Sequence, residues 1–166
     1  MVQAGSDATS DTCAVVVFRS DGVWQAVALP DVVTEDLDGL IAAVRQQSGD
    51  GGSFALVDVA HEFFVVVRVV MGRVRLLLSD VTAAVAWELA GQVVERLDLA
   101  VPGDDDLEDV WPAGDLGVFA DLGMEEMEMG AVLADLDAYA DEMLGVIARR
   151  LGFAEVYERV VDAVVD

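Results

Sequence analysis

The chain has 166 residues, a length that fits one domain and suffices for a sizeable core. Hydrophobic residues make up 55% of it, which excludes disorder of the whole chain, while nine basic against 32 acidic side chains leave a formal net charge of −23. Such a field opposes binding to nucleic-acid backbones and to anionic membrane surfaces, and it favours encounter with a basic partner.

Every basic residue is Arg, and with abundant Ala, Val, Gly and Asp this points to a source with GC-rich codons. The lone cysteine, Cys13, leaves no internal disulfide and no multi-cysteine zinc site. Residues 1–11 have neither the basic nor the apolar region of a signal peptide, and no apolar run reaches the ~18–20 residues of a spanning helix. The expectation is a soluble, cytoplasmic protein with a flexible tail over 1–11 and one domain over 12–166.

In chain order, CAVVVF from Cys13 and VWQAVAL from Val23 flank Asp21-Gly22 and read as a β-hairpin. Pro30 closes the second strand. Thr34 offers an N-cap, followed by Glu35 and Asp36, for a helix carrying Leu37, Leu40, Ile41 and Val44 on one face and ending at Gly49, Gly51 and Gly52. Three strands follow, SFALVDV, FFVVVRVV and RVRLLLS, joined by Ala60-His61-Glu62 and Met71-Gly72, turns short enough for antiparallel hairpins. FFVVVRVV is almost wholly apolar and fits a central strand covered on both faces. Ser79 or Asp80 caps a second helix carrying Val81, Val85, Leu89, Val93 and Leu97.

The predicted fold is therefore α+β: an antiparallel sheet of about five strands in the order ββαβββα, with a helical C-terminal portion after residue 100. Residues 101–117 read as an acidic loop. Helical spacing resumes at Met129, Val132, Leu133 and Leu136 and continues through Met143, Leu144, Ile147 and Leu151, with a break near Asp137–Ala140. A last helix carries Phe153, Val156, Tyr157, Val160 and Val164.

The inventory for catalysis is thin, and no catalytic residue, metal site or cofactor is predicted. His61 is the only histidine; there is no H-x-x-x-H pair, C-x-x-C, G-x-S-x-G elbow or P-loop. Gly49, Gly51 and Gly52 precede a strand, whereas a phosphate cradle precedes a helix. Carboxylates at Asp104, Asp106 and Glu108 resemble the start of a calcium loop, but the required Gly and Glu are replaced by Asp109 and Asp115. The acidic run is thus read as solvated.

Charge distribution says more than any motif. Between Arg96 and Arg149 stand fifteen acidic residues and no Lys, Arg or His, so this stretch faces either water or a partner. Asp104, Asp105, Asp106, Glu108 and Asp109 are the candidate partner interface, with Trp111 and Phe119 as aromatic anchors or, more often for such residues, as core. A two-residue turn at Met71-Gly72 would place Val70 opposite Arg73 and Arg68 opposite Arg75. Arg68, Arg73 and Arg75 would then form a stripe on one sheet face. Opposed like charges destabilise a sheet, so carboxylates from the acidic C-terminal portion are expected across it; the alternative is an exposed outer face with the three arginines in water.

The segments FFVVVRVVMGRVRLLLSDVTAAV, DLGVFADLGMEEMEMGAVL and DEMLGVIARRLGF resemble those of the actinobacterial tRNA adenosine deaminase-associated proteins. The resemblance runs from about Cys13 to Val164. It implies association with the tRNA-editing deaminase and carries over no catalytic residues. The chain is not the deaminase itself: zinc nucleobase deaminases need H-x-E and P-C-x-x-C, whereas Phe63 stands two places after His61 and Cys13 stands alone.

Three readings follow. The first is an accessory protein that binds a tRNA adenosine deaminase over its basic RNA-binding surface. The second is an acidic chaperone or adaptor for another basic client. The third is an enzyme using carboxylates alone, such as Asp80 with a residue of the acidic loop.

Overall fold

The computed structural model describes residues 12–47, 52–99, 111–135 and 137–165. The fold is α+β, with six antiparallel strands and five α-helices among these residues. Strands β1 (Thr12–Ser20), β2 (Val23–Ala28), β3 (Ser53–Val59), β4 (Phe63–Val70), β5 (Arg73–Leu78) and β6 (Ala113–Gly114) form one sheet in the order β2-β1-β3-β4-β5-β6. The sixth strand corrects the expected count of about five, for it falls in the stretch read as loop.

Two hairpins close through left-handed turns. Asp21 and Gly22 have φ of 53° and 79°, and Met71 and Gly72 have 52° and 79°, the pair of positive φ values that matches the twist of the flanking strands. The second turn sets Val70 against Arg73 and Arg68 against Arg75. β6 forms where Gly114 (φ 105°) brings its backbone against Leu76; a Cβ there would collide with the Leu76 carbonyl oxygen. The Asp115 amide then donates to that carbonyl at 2.8 Å.

Strand alternation sorts the apolar side chains onto two faces, and each face has its own layer of helices. One face carries Val16, Val57, Val65, Val67, Leu76 and Leu78, covered by α1 (Leu37–Gln46) and α2 (Glu88–Arg96). The other carries Val15, Val17, Phe54, Leu56, Phe64, Val66 and Leu77. It is covered by the Val118–Phe119 turn and by α3 (Glu126–Leu133), α4 (Ala140–Leu151) and α5 (Ala154–Val165). Every residue of β3 is buried, as a strand between two helical layers must be.

Helix starts differ from the sequence expectation in a consistent way. Residues Asp31–Glu35 form a 3-10 turn, and Asp36, not Thr34, caps α1 by accepting from the Asp38 amide. Likewise Asp80 caps a 3-10 turn, Val81–Val85, with Oδ1 accepting from the Thr82 amide at 2.9 Å and the Thr82 hydroxyl at 2.6 Å. The helix proper begins only at Glu88, so Val81 and Val85 precede it. Phe153 likewise precedes α5. Helix ends are tied to other elements: the Ser53 hydroxyl donates to the carbonyls of Val44 and Gln47, and the Leu37 amide donates to Gln92 on α2 at 2.7 Å. Because Asp80 satisfies two donors, Asp80→Ala is expected to cost about 1 kcal/mol and Asp80→Asn much less, read by urea unfolding.

Candidate interaction surface and internal ion pairs

Of the sequence-derived interface, Trp111 and Phe119 lie among the described residues. Asp104, Asp105, Asp106, Glu108 and Asp109 lie outside the described residues. Trp111 is partly exposed, and its carbonyl accepts from the Val81 amide at 2.8 Å. Phe119 is fully buried, with its ring centroid 4.8 Å from that of Phe54, so it packs the core and presents nothing to a partner.

Two arginines of the expected stripe, Arg68 and Arg75, meet carboxylates of the C-terminal portion. Arg68 is wholly enclosed. Its Nη1 donates to the Val118 carbonyl and to Asp121 Oδ1, both at 2.6 Å, and its Nη2 donates to Asp121 Oδ2 at 2.8 Å. The hydrogen bonds from Arg68 hold the Asp121 carboxyl below the usual carboxylate range, with burial opposing. Arg75 Nε reaches Asp115 Oδ2 at 2.6 Å. Arg73 begins β5 and is exposed. Two carboxylates from beyond residue 111 therefore meet Arg68 and Arg75, which is how a sheet tolerates two arginines directly opposed. Farther out, Arg150 bonds Glu128 at 2.6 Å and the Gly123 carbonyl at 2.7 Å, joining α4 to the start of α3. That guanidinium also draws the Glu128 carboxyl down.

A second polar cluster stands at the β3–β4 turn, and sequence reasoning missed it. Asp58 is buried near the end of β3; Oδ1 accepts from the His61 amide at 3.0 Å and Oδ2 lies 2.7 Å from His61 Nδ1. Burial pushes the Asp58 carboxyl up, against the lowering by His61. Asp141, at the start of α4, has Oδ1 3.6 Å from the same imidazole nitrogen. Burial also pushes up the Tyr157 hydroxyl, with Cys13, Asp58 and Asp141 adding to the rise. The signal was a carboxylate inside the otherwise apolar strand SFALVDV, three residues before the only histidine.

Neither cluster makes an evident catalytic centre. Among the described residues no group of three or more His, Cys, Asp or Glu is placed to hold a metal ion. Asp80 lines a cleft of about 170 Å³ with Glu62, Ser79, Leu133, Ala138, Ala140 and Met143. That is under the ~300–1,000 Å³ of most ligand pockets, whereas an open cleft of about 490 Å³ adjoins the Arg75–Asp115 pair and is lined also by Glu125, Glu126 and Met127. Nor is any helix among the described residues long and apolar enough to cross a membrane.

The outward charges on the C-terminal layer are mostly acidic, with Arg149, Arg150 and Arg159 also exposed. Asp121, Glu125, Glu126, Asp135, Asp137, Asp141 and Glu142 are exposed, and two large apolar side chains stand among them in the chain, Met127 (86% exposed) and Tyr139 (67%). The fold is that of an α+β sheet protein in which carboxylates of the C-terminal portion pair with arginines of the sheet. The chain belongs to the Rv3753c-like tRNA adenosine deaminase-associated protein family, whose model matches residues 12–154. Among curated proteins it is similar to Protein Rv3753c of Mycobacterium tuberculosis, at 40% identity over 156 residues, covering 93% of this chain and 90% of the relative. No solved structure is significantly similar to it.

Proposed function

We propose that this chain is a non-catalytic accessory protein of the cytoplasm that binds a tRNA adenosine deaminase, setting its acidic face against a basic surface of the enzyme. The observation that carries the reading is charge without compensation. Over the 52 positions between Arg96 and Arg149 the sequence offers fifteen carboxylates and no cation. Among the described residues, Arg68 pairs with Asp121, Arg75 with Asp115 and Arg150 with Glu128, and His61 approaches Asp141. Glu125, Glu126, Asp135, Asp137 and Glu142 stay exposed on α3, α4 and their junction, with Met127 and Tyr139 supplying apolar contact area. The family's description supports the choice of partner. A surface built to bind tRNA must carry positive charge, so it is complementary to this face. The loop residues Asp104, Asp105, Asp106, Glu108 and Asp109 would add long-range attraction, with Trp111 near their C-terminal end.

The test is a titration of this protein into the purified tRNA adenosine deaminase of its own organism at 50 and 500 mM salt, with tRNA as competitor. Saturable binding that weakens with salt, and competition by tRNA, are expected. Glu125→Gln, Glu126→Gln and Asp137→Asn combined should weaken binding about tenfold, through slower association. No binding at micromolar concentration and low salt would overturn the reading and leave a different basic client as the object of search.

A further inference from the structure

We propose that His61 is a pH-responsive latch: its protonated imidazole, clasped by Asp58 on the sheet and by Asp141 on α4, holds the start of α4 against the β3–β4 turn.

The geometry points there from several directions. The turn residues Ala60 and His61 both have left-handed backbones, φ 54° and 59°, a conformation that costs a residue with a Cβ and needs support. Asp58 supplies it by gripping the His61 amide and ring from a buried position. The His61 carbonyl in turn accepts from the Ala140 amide at 3.1 Å, so the first residue of α4 docks on this turn through the backbone. The side chain of the next helical residue, Asp141, approaches the same imidazole. One residue thus joins the sheet to a C-terminal helix twice, through its carbonyl and through its ring.

The two side-chain partners respond differently to the imidazole proton. A neutral ring can still donate from Nδ1 to Asp58. It offers no charge to Asp141 at 3.6 Å, so the α4 half of the clasp depends on protonation. Among the described residues, Asp58 on β3 and Asp141 on α4 face the imidazole, with Glu62 next in the turn; Cys13 on β1 lies opposite Asp58, and Tyr157 on α5 is in electrostatic reach of Cys13, Asp58 and Asp141. The carboxylates favour a cation, and neither Tyr157 nor Cys13 supplies a competing one. Half-exposure of the ring leaves it open to proton exchange with solvent.

The sign follows. The attraction between the ring and Asp141 exists only while the imidazole is charged. Its contribution is present in mild acid and is lost as pH rises through the histidine range, toward pH 8.

The test compares the full chain with His61→Asn, which tolerates the left-handed backbone, and with Asp141→Asn, which leaves the buried grip of Asp58 intact. Melting curves are taken at pH 6 and pH 8.5. The background repulsion of the acidic chain is common to all three proteins and cancels in the differences. The gap in Tm between wild type and each variant is expected to be about 2–4 °C wider at pH 6 than at pH 8.5. In wild type, Ala140 amide protection, corrected for intrinsic exchange, should rise severalfold at the lower pH, and in Asp141→Asn it should not. Parallel Tm–pH curves for wild type and Asp141→Asn, or Ala140 protection that ignores pH, would overturn the latch even if His61→Asn failed to fold.

Discussion

Asp121→Ala is expected to destabilise the protein by about 2 kcal/mol, although Asp121 itself is a surface residue. The cost arises at Arg68, which is enclosed and cannot shed its charge by deprotonation. Its guanidinium makes a two-pronged pair with Asp121 and a third bond to the Val118 carbonyl. Removing one partner of a fully buried pair costs ~3–5 kcal/mol. Asp121 is 53% exposed, so water can partly replace the lost carboxylate, and the figure falls to the lower value. Adding Arg68→Met should return much of the loss, since the enclosed charge is then gone. The check is a urea double-mutant cycle; strict additivity of the two changes would mean that the pair carries no coupling. The pH dependence has the opposite sign to that of the latch. Asp121 is held below its ordinary value by the Arg68 hydrogen bonds, so its contribution is intact above pH ~4 and is lost as pH falls through the depressed folded value. Wild type should therefore exceed Asp121→Asn by a constant margin from pH 5 to 8, and the margin should collapse in stronger acid.

Much of this was readable before any coordinates, and the parts that were not have physical reasons. Asp21-Gly22 and Met71-Gly72 announced their hairpins because few residue pairs accept two positive φ values. The second turn also fixed the register that opposes Arg68 and Arg75. β6 escaped because two residues are too few to show a period of two; only the backbone demand at Gly114 marks it. The helix starts slipped because Thr34, Ser79 and Asp80 all offer plausible caps, while the stretches after them tighten into 3-10 turns whose apolar spacing mimics a helix. The placing of helices on the sheet was readable only at Arg68 and Arg75, where carboxylates of the C-terminal portion were expected. Elsewhere each strand of the centre is apolar on both faces, so nothing in it says that α1 and α2 take one face and α3 to α5 the other. Phe119 shows the same limit: an aromatic beside an acidic run looks like an anchor until the sheet beneath it is known.

Phe54→Ala should be the more damaging change, costing about 3–5 kcal/mol. Its ring lies 4.8 Å from Phe119, 5.4 Å from Phe153 and 6.1 Å from Trp24, at angles of 60–72°, each an edge-to-face approach. Those three rings belong to the turn after β6, the junction of α4 with α5, and the edge strand β2. One side chain of β3 therefore bears on three separate parts of the molecule, and a cavity at its place cannot be closed by moving any one of them. Against a total of ~5–15 kcal/mol for a folded domain, the loss is a large fraction. Phe54→Leu should cost distinctly less, because it retains most of the buried volume. Hydrogen exchange on Phe54→Ala then distinguishes two kinds of damage. If amides of α4 and α5 lose protection while those of α1, on the other face, keep theirs, the C-terminal layer can open while the sheet persists. If both fall together, the two layers unfold as one unit, and the acidic face cannot loosen without loss of the whole fold.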